Sequence, residues 1–364
     1  MANNPKSLYI HIPFCEHICK YCDFTKLFYF SRFEKPYLDA LKKEIKSKVK
    51  NKIFTLYFGG GTPTALSDEG FEDILSFASK YLELDYEFTV EANVENLTET
   101  KLDIMKRCGV NRLSIGVQST CNKLLKEIGR HHSFEDAQKI IKLAKSKGFS
   151  NINIDLIYGF KNESLNDLKK DLEEFIKLDI DHISIYSLIV EKGSMFFVEK
   201  YPIQEENESR KHYEFIVNFL REHGYERYEI SNFARNGKYS RHNLTYWHNQ
   251  EYYGCGLGAS GYENGVRYEN TKSLPEYLKG NFISSSEKVG QNELEEYFLI
   301  TNLRLEQGFL RDQYKKLFGI DFEEKYKSKI IYFDLLKYFK ITHDRISLND
   351  NGLLLMDFIV LKIL

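Results

Sequence analysis

Short runs rich in apolar and β-branched residues recur through the first half of the chain, each followed by a longer stretch with apolar positions at helical spacing. The runs are SLYIHI (7–12), IFTLYF (53–58), YEFTVEA (86–92), NRLSIGV (111–117), INIDLIY (152–158) and HISIYSLI (182–189). Between them PYLDALKKEIKSKVK, DEGFEDILSFASKYL, SFEDAQKIIKLAKSKG and SLNDLKKDLEEFIKL predict helices. Ser67 stands where the N-cap of the second belongs, and Gly148 where the third should stop. Strand and helix alternating at this spacing predict a parallel sheet. With six or seven such units the expected α/β architecture is an incomplete (β/α)6-type barrel, an open sheet being the alternative.

From about residue 195 the rhythm changes. A polar helix, EENESRKHYEFIVNFLREHG, leads into YERYEISNFAR and then RHNLTYWHNQEYYGCGLGASGY, dense in aromatic residues and histidine. Farther on, NELEEYFLITNLRL predicts a helix, ITHDRISL a hairpin, and the apolar C-terminus another helix. The expected organisation is a partial barrel over 1–235, an aromatic connecting segment over 236–285 and a mostly helical, winged-helix-like C-terminal domain over 286–364.

Composition narrows the function classes. With 42% hydrophobic and 29% charged residues the chain is that of a folded globular protein. Lys+Arg 51 against Asp+Glu 53 gives a net charge of -2, so no basic field announces nucleic acid. The opening MANNPKSLYIHIPF lacks the basic start and apolar run of a secretory signal. No stretch reaches the roughly 18 apolar residues of a membrane span; the terminal LLLMDFIVLKIL is short and carries Asp357 and Lys362. The expected setting is the cytoplasm, where clustered cysteines indicate metal or cluster ligation instead of disulfides.

Chemistry gathers at the strand ends. CEHICKYC, with Cys15, Cys19 and Cys22, follows the first strand; GGGTPT (59–64) follows the second. Glu91 ends the third, Gln118 the fourth, and Asp155 lies inside the fifth. Carboxyl ends of parallel strands converge on one face, where such folds bind and react. Structural zinc takes four N or S ligands, so zinc completed by His17 or a remote residue is one reading of the loop. A four-iron cubane normally takes four thiolates, and three leave one iron open to an exchangeable ligand. GGGTP brings backbone close to a small polar group because glycine has no Cβ; a phosphate loop would continue with Lys-Ser/Thr, which is absent. Cys108, Cys121 and Cys255 are assigned to packing, with thiolate ligation an alternative for Cys255.

At CxxxCxxC the sequence resembles the radical S-adenosylmethionine superfamily, whose loop binds a 4Fe-4S cluster with S-adenosylmethionine on the fourth iron. Tyr9 and HIPFC, KYCDF, FGGGTPT, VEAN, NRLSIGVQS, IGRHHS, NIDLIYGF, YEISNFAR and RHNLTYW occur in the order found in the oxygen-independent coproporphyrinogen oxidase relatives. They are most similar to the haem-chaperone branch. By this resemblance Gly60, Gly61 and Thr62 contact S-adenosylmethionine, Tyr9 and Tyr21 frame the cluster, and Glu91 accepts hydrogen bonds from the ligand. Gln118, Arg130 and Asp155 match positions that hold a second S-adenosylmethionine in the decarboxylating relative. Each has a plainer reading: helix-capping carboxylates for Glu91 and Asp155, a surface ion pair for Arg130.

The resemblance leaves two classes of function. An enzyme would generate a 5'-deoxyadenosyl radical and decarboxylate coproporphyrinogen III; a radical methylase is a variant. A carrier would keep the barrel and cluster, bind haem and pass it to a respiratory cytochrome or its membrane complex. Phe24 stands where the decarboxylating relative resembles CxxxCxxCxC, that relative carries a longer N-terminal extension, and HNLTYW (242–247) matches the HNxxYW signature of the carrier branch. His242 and Trp247, with Tyr246 and His248, would form a haem-binding surface; the alternative is that Trp247 anchors the barrel's open side beside a hydrogen-bonded His242. Ser240 replaces a cysteine and Ser260 a histidine of the family pattern, and YGFKNES lacks the proline of YGLPGQT.

Overall fold

The computed structural model describes residues 5–364; residues 1–4, which begin the stretch read for a secretory signal, lie outside it. All six strands form: β1 (Ser7–Ile12), β2 (Ile53–Gly60), β3 (Leu82–Asn93), β4 (Arg112–Gln118), β5 (Ile152–Tyr158) and β6 (His182–Ser187). They pair in sequence order and in parallel. A hairpin, β7 (Glu226–Glu229) and β8 (Asn232–Ala234), adds to β6 antiparallel, and β9 (Tyr253–Cys255) adds to β1 in parallel. The nine-stranded order is β9-β1-β2-β3-β4-β5-β6-β8-β7, an open sheet whose ends do not pair.

The sheet is two-faced. Leu8, Leu56, Phe88, Leu113, Ile154 and Ile183 point to one side and join the main core under the helices. The alternate positions are polar: Thr55, Thr89, Arg112, Ser114, Asn153 and Ser184 are buried on the other side. A flat parallel sheet covered by helices on both faces would be apolar throughout; here one polar face turns inward on itself. Burial raises the Tyr57 pKa, and Tyr186, four strands away, adds to the effect through charge. The Tyr228 hydroxyl bonds His182 of β6 at 2.8 Å and Ser240 N–H at 3.2 Å, and two residues on His242 bonds Thr55 of β2 at 2.8 Å. In a flat sheet β2 and β6 would lie roughly 19 Å apart, so the sheet curls into an incomplete barrel with a polar lumen.

The helices answer their local signals. Ser67 caps Asp68–Ser79 by accepting from Gly70 N–H, and Ser133 and Ser164 each complete a reciprocal capping box. Gly148, at φ +82°, turns the chain back after Phe134–Ser146, its N–H bonding Lys145 O at 2.9 Å. The first helix begins at Ser31, five residues before the expected Pro36, which lies inside it. Ser240 is buried and caps the helix Arg241–Trp247: its Oγ accepts from Asn243 N–H at 3.3 Å, while its own N–H donates to the Tyr228 hydroxyl at 3.2 Å.

The C-terminal part has its own core around Phe298, Tyr314, Phe322, Leu348 and Ile359. The expected hairpin forms between Phe339–Ile341 and Arg345–Leu348 within a three-stranded antiparallel sheet flanked by helices, which is the winged-helix-like arrangement. Arg304 ties this part to the barrel edge: Nε donates to Glu229 at 2.6 Å, Nη2 to Ser231 Oγ at 2.8 Å, and the guanidinium lies 4.5 Å from the Trp247 ring. Arg304→Ala would strand the buried Glu229 carboxylate, and a loss of about 2–4 kcal/mol is expected. A urea midpoint indistinguishable from wild type would contradict this.

Candidate functional site

Cys15 ends the two-residue strand Phe14–Cys15, and the loop that follows carries Cys19 and Cys22. Backbone bonds fix that loop: Leu27 N–H to Pro13 O at 2.7 Å, Tyr29 N–H to Cys15 O at 2.8 Å, Cys22 N–H to Cys19 O at 3.2 Å. From outside, Lys20 N–H donates to Ile128 O at 3.0 Å and Lys20 O accepts from Phe196 N–H at 2.9 Å. Burial pushes the Cys15 thiol up to about 11 and raises Cys22 as well. Ligation therefore has to supply the positive charge that displaces these protons, as metal centres do.

The donor set fits a cluster better than one ion. Three thiolates in one loop are one donor short of the four N or S ligands that structural zinc takes. A cubane spreads its thiolates over separate irons. His17, the candidate fourth zinc ligand, is exposed and stacks on His131 with centroids 3.8 Å apart.

A hydrogen-bonded chain joins the loop to the strand ends. Thr62 Oγ1 donates to Cys15 Sγ at 3.5 Å and accepts from Asn93 Nδ2 at 2.9 Å. Arg130 Nη1 donates to Asn93 Oδ1 at 2.6 Å, and Nη2 to the Tyr21 hydroxyl at 2.9 Å. Behind Arg130 stands Glu95: burial would raise its pKa, but the bond from His132 and the charge of Arg130 outweigh burial and hold it at about 2. Sequence reasoning quoted VEAN without singling out Asn93, and missed Glu95 and His132.

Glu91 accepts from the Tyr57 hydroxyl at 2.7 Å and from Gly60 N–H at 3.2 Å. Tyr9 bonds His11 Nδ1 at 3.0 Å, while His11 Nε2 bonds Thr25 O at 2.7 Å; burial lowers the His11 pKa to about 4. These contacts revise the expected reason for the glycines. A Cβ on Gly60, at φ +115°, would meet the His11 ring at 2.6 Å, and one on Gly61 the Pro13 carbonyl carbon at 2.7 Å. The strand β1 needs that space whatever ligand also uses it.

Asp155 accepts from Asn153 Nδ2 at 2.8 Å, and Gln118 is buried at a strand irregularity with φ +73°. Among the described residues Arg112 Nε and Thr89 Oγ1, neighbours across β3 and β4 and both nearly fully buried, have no hydrogen-bond partner. Unsatisfied buried donors mark room for water or ligand. The alternation of polar residues along the strands was the signal that could have found Arg112.

Burial raises Glu91 to about 7, with Asp155 adding, and raises Asp155 itself to about 6. A carboxyl raised in the folded state favours the fold below its unfolded pKa and loses that contribution as pH climbs through the folded value. The ligand-free protein should therefore lose stability between pH 4.5 and 7, less so in Glu91→Gln, where only Asp155 remains. Equal thermal shifts across that window in the two proteins would contradict the assignment.

The aromatic segment packs inward. His242 is buried, its Nδ1 2.8 Å from Thr55 Oγ1 and its Nε2 2.8 Å from the Tyr246 hydroxyl; burial lowers its pKa to about 3. Neither ring nitrogen is free for iron in this arrangement. Trp247 lies under Arg304, as described above. Cys255 is buried in β9 and Cys108 half-buried, but Cys121, expected in packing, is exposed. It begins a short surface helix, where an apolar contact has nothing to pack on.

Residues 9–175 match the Radical SAM superfamily. The chain is 37% identical over 365 residues to the protein named Heme chaperone HemW of Lactococcus lactis, covering 97% of this chain and 95% of that one. To the protein of the same name from Bacillus subtilis it is 38% identical, covering 86% and 87%. Among solved structures, the radical SAM enzyme coproporphyrinogen III oxidase (HemN) of Escherichia coli superposes with a TM-score of 0.86 over 99% of this chain and 90% of that chain, at 20% identity. That likeness extends the shared fold through the C-terminal part, while the sequence identity sets the branch. The cysteine loop, the polar lumen and the near-complete alignment meet in one assignment: the chain belongs to the HemW family of the radical SAM superfamily.

Proposed function

We infer that this protein is a haem chaperone of the HemW type, which binds haem and, at the mouth of its barrel, a 4Fe-4S cluster with S-adenosylmethionine, and passes haem to an acceptor protein. The observation that carries the reading is likeness at 37% identity along 97% of the chain to a protein named for that role. Phe24, in place of a fourth loop cysteine, supports the carrier over the decarboxylating enzyme.

Cys15, Cys19 and Cys22 would hold three irons. When bound, the cluster supplies one-electron chemistry and an open coordination position. Tyr9, Tyr21, Gly60, Gly61, Thr62 and Glu91 would line the ligand's approach, with Glu91 offering a carboxylate to its ammonium or hydroxyl groups. Gln118 at the end of β4, Arg130 in the connection that follows and Asp155 in β5 would border the same space. Thr62, bonded to the Cys15 sulfur, steadies the thiolate, and Arg130 orders Tyr21. The proposed setting is the cytoplasm and the proposed acceptor a respiratory cytochrome or its membrane complex. No helix among the described residues is long and apolar enough to cross a membrane.

The test is anaerobic reconstitution, followed by incubation with haem and, separately, with S-adenosylmethionine, a reductant and coproporphyrinogen III. Haem should remain with the protein on gel filtration and coproporphyrinogen should persist. Conversion to protoporphyrinogen would overturn the reading in favour of the enzyme.

A further inference from the structure

Three residues that the sequence sets apart come together in space. Phe24, Tyr246 of HNLTYW and Ser260, which replaces a family histidine, line one open cleft of about 320 Å³. Tyr9 and His11 form its inner wall, Tyr252 adds a further ring, and Lys272 stands at the rim. The cleft thus shares a wall with the cluster site.

We propose that this cleft seats one edge of the haem, with Phe24, Tyr246 and Tyr252 against the macrocycle and Lys272 on a propionate carboxylate. The proposal rests on the haem-chaperone reading and gives it a place. Pockets of this size enclose small ligands, so a whole tetrapyrrole would be gripped only in part, as suits cargo that must leave. Aromatic faces pack on a planar macrocycle, and the Phe24 ring is 65% exposed with no core to serve. The one histidine lining the cleft, His11, has both ring nitrogens engaged, so the cleft holds the ring edge and not the iron.

Two carboxylates, Asp23 and Glu269, also line the cleft. Glu269 holds Lys272 at 2.8 Å, with the two side chains 42% and 66% exposed. A propionate has to compete with Glu269 for that ammonium, which fixes the sign of two opposite substitutions. Lys272→Glu should weaken haem binding, and Glu269→Gln, by freeing Lys272, should tighten it. Ser260→Trp, on an exposed position, should plug the cleft.

Haem is titrated into wild type and the three variants and followed by its visible absorption, after each has been shown to carry the same iron content once reconstituted. Lys272→Glu and Ser260→Trp are expected to raise the dissociation constant at least about fivefold, and Glu269→Gln to lower it. S-adenosylmethionine binding should be unchanged in all. Equal haem affinities across the set would overturn the cleft and leave the chaperone reading standing. Failure of the wild type to bind haem would overturn both.

Discussion

Cys15→Ala is expected to leave the reconstituted protein colourless, with iron falling from about four atoms per chain to near zero. Cys19→Ala and Cys22→Ala should do the same, because two thiolates leave two corners of the cluster open. The fold should survive. Cys15 is buried against Thr62 and the end of β1, but removing one sulfur opens only a small cavity, worth about 1 kcal/mol. Circular dichroism and gel filtration unchanged from wild type would separate cluster loss from unfolding. Cys108→Ala and Cys121→Ser, at positions outside the loop, should keep their iron. Full iron content in any of the three loop variants would remove that cysteine from the ligand set.

Arg130→Met should be the most damaging substitution that spares the cysteines. The guanidinium is buried and serves Tyr21 and Asn93 directly, with Glu95 4.0 Å away. Its removal takes the cation from beside the part-buried Glu95 carboxylate, which keeps its bond to His132, and releases Tyr21 from its partner. Taking one member from a buried charge pair costs about 3–5 kcal/mol. The loss should reach the cluster loop, since Tyr21 lies between Cys19 and Cys22. Amide exchange over residues 16–24 should accelerate well beyond the global destabilisation. Arg130→Lys would keep the charge but not the two-pronged contact, and should recover stability more than loop protection. Exchange at the loop matching wild type would show that Arg130 stabilises the fold without ordering the site.

How far the sequence could be read follows from the range of the interactions. Ser7–Ile12 and Ile152–Tyr158 form over the residues expected, and Ser67 caps as expected, because strand propensity and capping are local. The first helix started early because Phe33 packs on the main core and the buried Glu34 carboxylate accepts from Ser67 N–H at 2.8 Å, contacts that come from elsewhere in the chain. β9 was invisible: Tyr-Gly-Cys, with a further glycine after it, has no strand period, and only pairing with Leu8–Ile10, more than two hundred residues earlier, makes it a strand. The convergence of Glu91, Gln118 and Asp155 was readable from strand ends. The tie from Arg130 through Asn93 and Thr62 to Cys15 was not, since it crosses three separate loops.

His242 shows the same limit at a single residue. Its sequence neighbours suggested a surface, while its environment is set by Thr55 from β2 and by Tyr57, stacked on it at a centroid distance of 5.0 Å. Ligand chemistry inferred from a motif depends on which side chains face out, and that is decided by tertiary packing. Here the residues of the motif divide: His242 and Trp247 secure the barrel, and Tyr246 alone reaches a cleft.

On the proposed reading, three loop cysteines hold a cluster with one position left for S-adenosylmethionine. It is tested most directly by the electron paramagnetic resonance spectrum of the reduced, reconstituted protein with and without S-adenosylmethionine. A four-iron cluster signal that shifts when S-adenosylmethionine is added to wild type is expected. A cluster signal indifferent to S-adenosylmethionine would show that no position is open to it, and a silent, zinc-loaded protein would rule the cluster out.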